Sequence, residues 1–299
     1  MRHFSVRHST RYRYSAPASL CYNQAHLTPR NTERQRVLSN EVVIEPRPDD
    51  RSHRVDQYGN GVDYFTIERP HDGLVVTSTC ELAIAPSDIS PAAERTWEST
   101  RDANVGSPEA RELLLESPLV PVSDTLAAYA APSFPPGRSV LDAVSDLTSR
   151  IHHDFTFLPG ATTVATPIEQ VLELRSGVCQ DFAHLAVGCL RSSGLAARYV
   201  SGYLETLPPP GEAKLVGADA THAWCAVRLA DDSWLELDPT NDAVGPEHHL
   251  VVAWGRDYGD VVPVKGVVMA ATDHMELSVA VDVVRLEPGT GDGTAQTLR

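Results

Sequence analysis

The chain has 299 residues, 42% hydrophobic and 22% charged, enough for a sizeable core in one large domain or two ordinary ones. A net charge of −15 argues against nucleic acid as the main partner and disfavours anionic membranes, since phosphates need cationic surface. No run approaches the ~20 apolar residues of a membrane-spanning helix or opens the chain as a signal peptide, and five scattered cysteines do not form a secreted disulfide framework, so a reduced, cytoplasmic protein is expected.

Residues 1–88 read as β-structure. Tyr12-Arg13-Tyr14 and Val42-Val43-Ile44 are short extended runs, Val62 to Ile67 follows the hairpin signal Gly59-Asn60-Gly61, and Leu74 to Thr79 follows Asp72-Gly73. This spacing predicts a small sandwich or barrel without catalytic residues of its own, suited to a structural role or to a wall of the substrate cleft. Residues 89–122 read as a connector, broken by Pro91 and Ser107-Pro108, with a short charged helix from Glu109 to Glu116. A better helix begins at Ser139, with Val140, Val144, Leu147 and Ile151 on one face.

The next helix carries the chemistry. Cys179, Phe182, Ala183, Ala186, Val187 and Leu190 form one apolar stripe, Ser176-Gly177 marks the start, and Gly194 is placed to cap the end. Strands follow at Arg198 to Leu204, His222 to Leu229 and Trp234 to Asp238, then around Val261 to Val268 and Leu277 to Val284. Pro208 to Lys214 reads as an exposed loop near His222, equally suited to gating substrate and to being ordinary surface. Residues 288–299, rich in Gly and Thr, predict a disordered tail.

Cys179, His222 and Asp238 occur in the order that can build an activated nucleophile. A thiol at a helix start faces unpaired backbone N–H groups that favour an anion and can hold an oxyanion. His222 can accept the thiol proton and return it to a leaving amine, while Asp238 fixes the ring. Taken singly, each has a plainer explanation: a buried small residue, a structural histidine, an Asp-Pro turn. The register between the two strands decides whether they converge. A three-residue loop centred on Asp231 places Asp238 opposite Trp224 and diagonal to His222 on one face, with Cβ atoms ~7–8 Å apart or less. An even loop turns the carboxylate away, so the mechanism requires an odd loop or a bulge.

Other candidates carry less. His152-His153 and His248-His249 lack zinc-ligand spacing, so no metal is expected. Cys179 and His184 diverge by about 140° around the helix. Cys189 and Cys225 read as packing residues and His184 as structural. Asp181 can meet the helix dipole, Gln180 can sit beside an oxyanion, and Trp224 and Tyr203 can line the cleft or pack.

The segments Gly177 to Leu185, Ala197 to Tyr203, His222-Ala223-Trp224, Leu237 to Asn241 and Gly255 to Tyr258 with Asp260-Val261 and Pro263 resemble the bacterial transglutaminase-like proteins. The core of that family is related to papain-type cysteine proteases. In the N-terminal part, His8-Ser9-Thr10, Tyr12-Arg13-Tyr14, Leu27 to Arg30 and Asp56 to Asn60 resemble the β-rich domain that precedes this core. The resemblance implies an α+β fold: an all-β, sandwich-like domain followed by a papain-like core over residues 123–287, in which a Cys-bearing helix packs on an antiparallel sheet. It implies Cys179 as nucleophile, His222 as base and Asp238 as orienting acid, with no metal or other cofactor and a protein or peptide substrate. Family members act as amine transferases, proteases, deamidases or amidases. Hydrolysis through a Cys179 thioester is the expectation, with a binding or assembly module that has lost turnover as the alternative. The sequence leaves the acyl donor, the acceptor and the oligomeric state open.

Overall fold

The computed structural model describes residues 1–205, 220–270 and 274–286. The loop expected at Pro208 to Lys214 and the expected tail lie outside the described residues.

The long strand β1 (Arg2–Thr28) organises the N-terminal part with β2 (Gln35–Glu45), β3 (Asp50–Val55), β4 (Gly61–Ile67) and β5 (His71–Ile84). Pro17 lacks an N–H for the ladder, and the β1–β5 register shifts between Arg13 and Ala18. On either side of that break β1 serves different partners. Arg2 to Arg13 pair with β5, which also carries β2, whereas Cys21 to Thr28 pair with β4, followed by β3. Side chains from both halves, including Tyr14, Val42, Ile44, Leu74 and Val76 from one and Cys21, Leu27, Phe65 and Ile67 from the other, share one apolar core. That arrangement is the expected sandwich-like domain.

Four helices lead into the second part: α1 (Trp97–Gly106), the short α2 (Pro108–Arg111), α3 (Asp124–Ala130) and α4 (Val140–Asp154). Thr96, Ser123 and Ser139 cap α1, α3 and α4 by accepting first-turn N–H groups. The brief strands β6 (Thr156–Phe157) and β7 (Ser176–Gly177) pair in parallel around α5 (Ile168–Leu174). Then comes α6 (Cys179–Ser192), followed by β8 (Ala197–Leu204), β9 (Ala220–Arg228), β10 (Trp234–Asp238), β11 (Ala243–Val244) and β12 (His249–Gly255). The five strands form one antiparallel sheet in the order β11-β10-β9-β8-β12. Ala197, Cys225, Val227, Leu235 and Leu237 from this sheet pack with α4 and α6.

The sequence anticipated one buried stripe on α6, but every residue from Asp181 to Arg191 is buried. The helix touches α3, α4, α5, β8 and β9, so no face is left to solvent. The expected core boundary at residue 287 also drew the last strands, β13 (Val264–Ala270) and β14 (Met275–Leu286), with the five-stranded sheet. Their hydrogen-bond partners lie instead on β1: β13 beside its second half and β14 beside its first. Alternation along a strand identifies a buried face but not the sheet that supplies it.

Two amide side chains tie the N-terminal part to the edge strand β12. Gln35 donates to the Val251 carbonyl at 2.7 Å and accepts its N–H at 2.9 Å. Asn60 does the same for Trp254, at 2.8 and 3.0 Å. Each amide mimics a strand residue, so an edge that could recruit another strand is occupied.

Candidate active site

The start of α6 is set by Asp181, whose carboxylate accepts the Val178 N–H at 2.7 Å and the Thr162 hydroxyl at 2.6 Å. A Cβ on Gly177 would lie 2.7 Å from that carboxylate, so glycine is required beside the cap. The helix ends as expected at Gly194, with φ of 80°. Leu195 N–H donates to Leu190 C=O and Gly194 N–H to Arg191 C=O, which satisfies the last carbonyls. Cys179 is thereby fixed on the first turn, half-buried and packed against the cluster that contains Ala183, Tyr199 and Ala223.

The β9–β10 turn meets the register condition. Trp234 pairs with Arg228 and Leu237 with Cys225, which leaves a three-residue loop, Ala230-Asp231-Asp232. Leu229 N–H donates to Ser233 C=O, and Asp232 takes a left-handed φ of 72°. Asp238 consequently falls opposite Trp224 and diagonal to His222. The ring Nε2 of His222 donates to Asp238 Oδ2 at 2.8 Å. The Cys179 side chain lies close enough to the His222 ring to help raise its pKa. Residues from a helix start and two strands thus meet in one chain of contacts.

The Asp238 carboxylate is fully buried and saturated. Pro239 ends the strand, and the following turn sends the Thr240 and Asn241 N–H groups to Oδ1 at 3.0 and 3.3 Å. Oδ2 accepts from His222, from Asn241 Nδ2 at 2.6 Å and from His249 Nε2 at 2.7 Å. Burial alone would push this carboxyl up, but the hydrogen bonds and charge of the two histidines outweigh it and hold the pKa well below the usual carboxylate range. At His222, burial opposes the charge; the hydrogen bonds to Asp238 and Cys179 prevail and raise the ring to about 9. The site therefore favours an imidazolium between a carboxylate and a sulfur.

His249 is the residue that the sequence reading set aside. Its position next to His248 drew attention only to a metal, and the strand that carries it, β12, was not anticipated. The ring is buried, with its edge against Trp224 at 4.8 Å, and its Nδ1 has no partner among the described residues. His222, Asp238 and His249 could present three ligand atoms to a cation, all within 4.8 Å of one another. The hydrogen bonds already account for that approach. His152 and His153 are exposed and bond backbone carbonyls.

The remaining candidates have structural places. His184 accepts the Tyr258 N–H at 3.0 Å and packs on Tyr199, and burial lowers its pKa to about 4, so it is a neutral acceptor. The Gln180 amide donates to the Val164 carbonyl at 3.4 Å. Trp224 and Tyr203 are buried, as are Cys189 and Cys225.

Residues 4–83 match the bacterial transglutaminase-like N-terminal region, and residues 128–239 match the transglutaminase-like superfamily core. An uncharacterized protein of Mycobacterium tuberculosis is 43% identical over 292 residues, covering 95% of this chain and 93% of the relative. A counterpart in Mycobacterium leprae is 36% identical over 94% of this chain and 98% of its own length. A protein-glutamine gamma-glutamyltransferase of Pseudomonas aeruginosa is 30% identical, but over 55% of this chain and only 22% of that enzyme. A solved structure from Cytophaga hutchinsonii, provisionally assigned as a cysteine protease, shares the fold with a TM-score of 0.75 at 20% identity, covering 98% of this chain and 92% of that one. The chain belongs to the transglutaminase-like superfamily, in the group that carries the bacterial N-terminal region ahead of the core.

Proposed function

We propose that the chain is a cysteine-dependent acyl transferase or hydrolase acting on a peptide or side-chain amide. The approach of Cys179 to the His222 ring, which itself donates to Asp238, carries this reading. The Cys179 sulfur attacks the amide carbon, and first-turn backbone N–H groups of α6 stabilise the oxyanion. Collapse breaks the C–N bond as His222 gives its proton to the departing amine, leaving a thioester on Cys179. Water or an amine then attacks the thioester, His222 takes the incoming proton, and the thiol is released. Asp238 stays ionised throughout and orients the ring. Hydrolysis is the favoured outcome, with a peptide or protein as acyl donor.

Incubation with a peptide library and intact-mass analysis tests the reading. A mass increase equal to an acyl group, located on Cys179 and absent in Cys179→Ala, is expected. Product masses then separate hydrolysis from amine incorporation. If no library member acylates Cys179, and its alkylation is no faster than that of a model thiol, the binding-module alternative holds instead.

A further inference from the structure

A second site lies on the same face of the catalytic sheet, away from the sulfur. By strand alternation His222, Trp224 and Ala226 share a face with Gly202, Val200 and Arg198 of β8, and with Asp238, Glu236 and Trp234 of β10. Trp224, Val200, Ala226 and Val251 form a small core in the middle of this face, flanked by Trp234 and Trp254. Beyond them opens a cavity of about 940 Å³, lined by residues that include Arg34, Arg198, Trp234, Trp254, Glu33 and Glu236.

Arg198 is the unusual feature of this cavity. Its carbon Cζ stands 3.5 Å from the centre of the Trp254 ring and 4.0 Å from that of Trp234, so the guanidinium lies against two indole rings. Arg30 stacks on Trp254 as well, at 3.3 Å. Arg198 is 7% exposed, yet among the described residues no group accepts a hydrogen bond from it and no carboxylate comes within ion-pair distance; its Nε is enclosed without a partner. The other arginine of the cavity, Arg34, is used: it donates to the Pro246 and Ala85 carbonyls. A buried guanidinium is costly unless its donors are met. The donors of a guanidinium lie in its plane, the geometry that a carboxylate matches with two parallel hydrogen bonds.

We propose that this cavity binds a peptide carboxylate, held edge-on by Arg198 between Trp234 and Trp254. The acidic lining of Glu33, Asp88, Asp232 and Glu236 opposes each added negative charge, so a singly charged carboxylate is opposed less than a doubly charged phosphate, and the same side chains can accept from the amide N–H groups of a peptide. The binding does not require Cys179 to turn over, so it stands or falls independently of the acyl-transfer reading.

Calorimetry on the full chain tests it with three probes: acetyl-Ala-Ala-Ala bearing a free C-terminal carboxylate, the same peptide as its C-terminal amide, and acetyl-Ala-Glu-Ala-amide, in which only a side chain is ionised. Inorganic phosphate is the control. Saturable binding of either carboxylate peptide, at least tenfold tighter than the neutral amide, is expected, and the arm that binds identifies a terminal or a side-chain carboxylate. Arg198→Lys should weaken binding at least tenfold while urea unfolding stays cooperative. Should that variant fail to fold, the comparison of carboxylate with amide on the unaltered protein decides alone. Equal binding of amide and carboxylate, tighter binding of phosphate, or no saturable binding overturns the proposal.

Discussion

At the scale of single residues, Asp238 organises the site. Its two oxygens receive five hydrogen bonds, two from its own Asp-Pro-Thr-Asn turn and three from Asn241, His222 and His249 side chains. His249→Phe removes one donor from a buried carboxylate, which costs about 1–3 kcal/mol of stability in urea unfolding. The pH dependence follows from His222. Its pKa of about 9 in the folded state lies above the ordinary value of 6.5, so folding favours the proton. The stabilisation is fully present below pH 6.5 and lost as pH rises through about 9. Urea midpoints measured from pH 6 to 10 should therefore fall across that window, and His222→Ala should flatten the curve there. The Asp238 contribution has the opposite sense, present above the ordinary carboxylate range and lost only in stronger acid. A sulfur held beside an imidazolium should alkylate with iodoacetamide at pH 6 at least about tenfold faster than a model thiol, and His222→Ala should remove the advantage.

At the scale of elements, function depends on two places where the backbone has no room. Beside the α6 start, Gly177→Ala would place a Cβ 2.7 Å from the Asp181 carboxylate and 2.9 Å from its Cβ. The cap must move, at a cost of about 0.5–2 kcal/mol, and the Cys179 alkylation rate should fall with it because the same turn holds the sulfur. On β8, Gly202 pairs with His222, and a Cβ there would lie 2.0 Å from the Leu250 carbonyl oxygen and 2.6 Å from the Trp224 ring. Gly202→Ala should abolish soluble expression or lower stability by about 3 kcal/mol or more, since neither a strand carbonyl nor a buried indole can yield.

At the scale of the whole molecule, the N-terminal sheet and the transglutaminase-like core share buried side chains. Phe4, Val6, Leu82 and Ile84 pack in a common core with Tyr199, Tyr203, Leu250 and Val252, joined by Val281 and Val283 of β14. The β1–β14 ladder runs from His3 to Tyr14. Across the same boundary, His8 shares a hydrogen bond with the Tyr203 hydroxyl at 3.0 Å, and burial lowers the His8 pKa to about 4, keeping it neutral. Deleting residues 264–299 should therefore unfold the catalytic core as well as the N-terminal sheet. The full chain should melt in one urea transition, seen alike by tryptophan fluorescence and circular dichroism. Two separate transitions would show that the shared core does not couple the parts.

The amino-acid sequence by itself determined the elements whose signals are local. A hydrophobic period and a capping glycine marked α6, and Gly-rich turns marked the N-terminal hairpins, whereas the loop around Asp231 was open to an odd or an even length until the structure gave it three residues. Cys179, His222 and Asp238 were legible because each sits next to a signal of that kind. Tertiary structure alone decided what depends on partners far along the chain. Strand periodicity is the same whichever sheet a strand joins, so β13 and β14 could not be assigned to β1. His249 gave no local sign of its role, because only the fold of β12 brings its ring to a carboxylate eleven residues away in sequence. Arg198 likewise looked like an ordinary strand residue until the fold set Trp234 and Trp254 against its guanidinium. Local patterns specify backbone conformation; the desolvation and saturation of a charged group depend on every element that surrounds it.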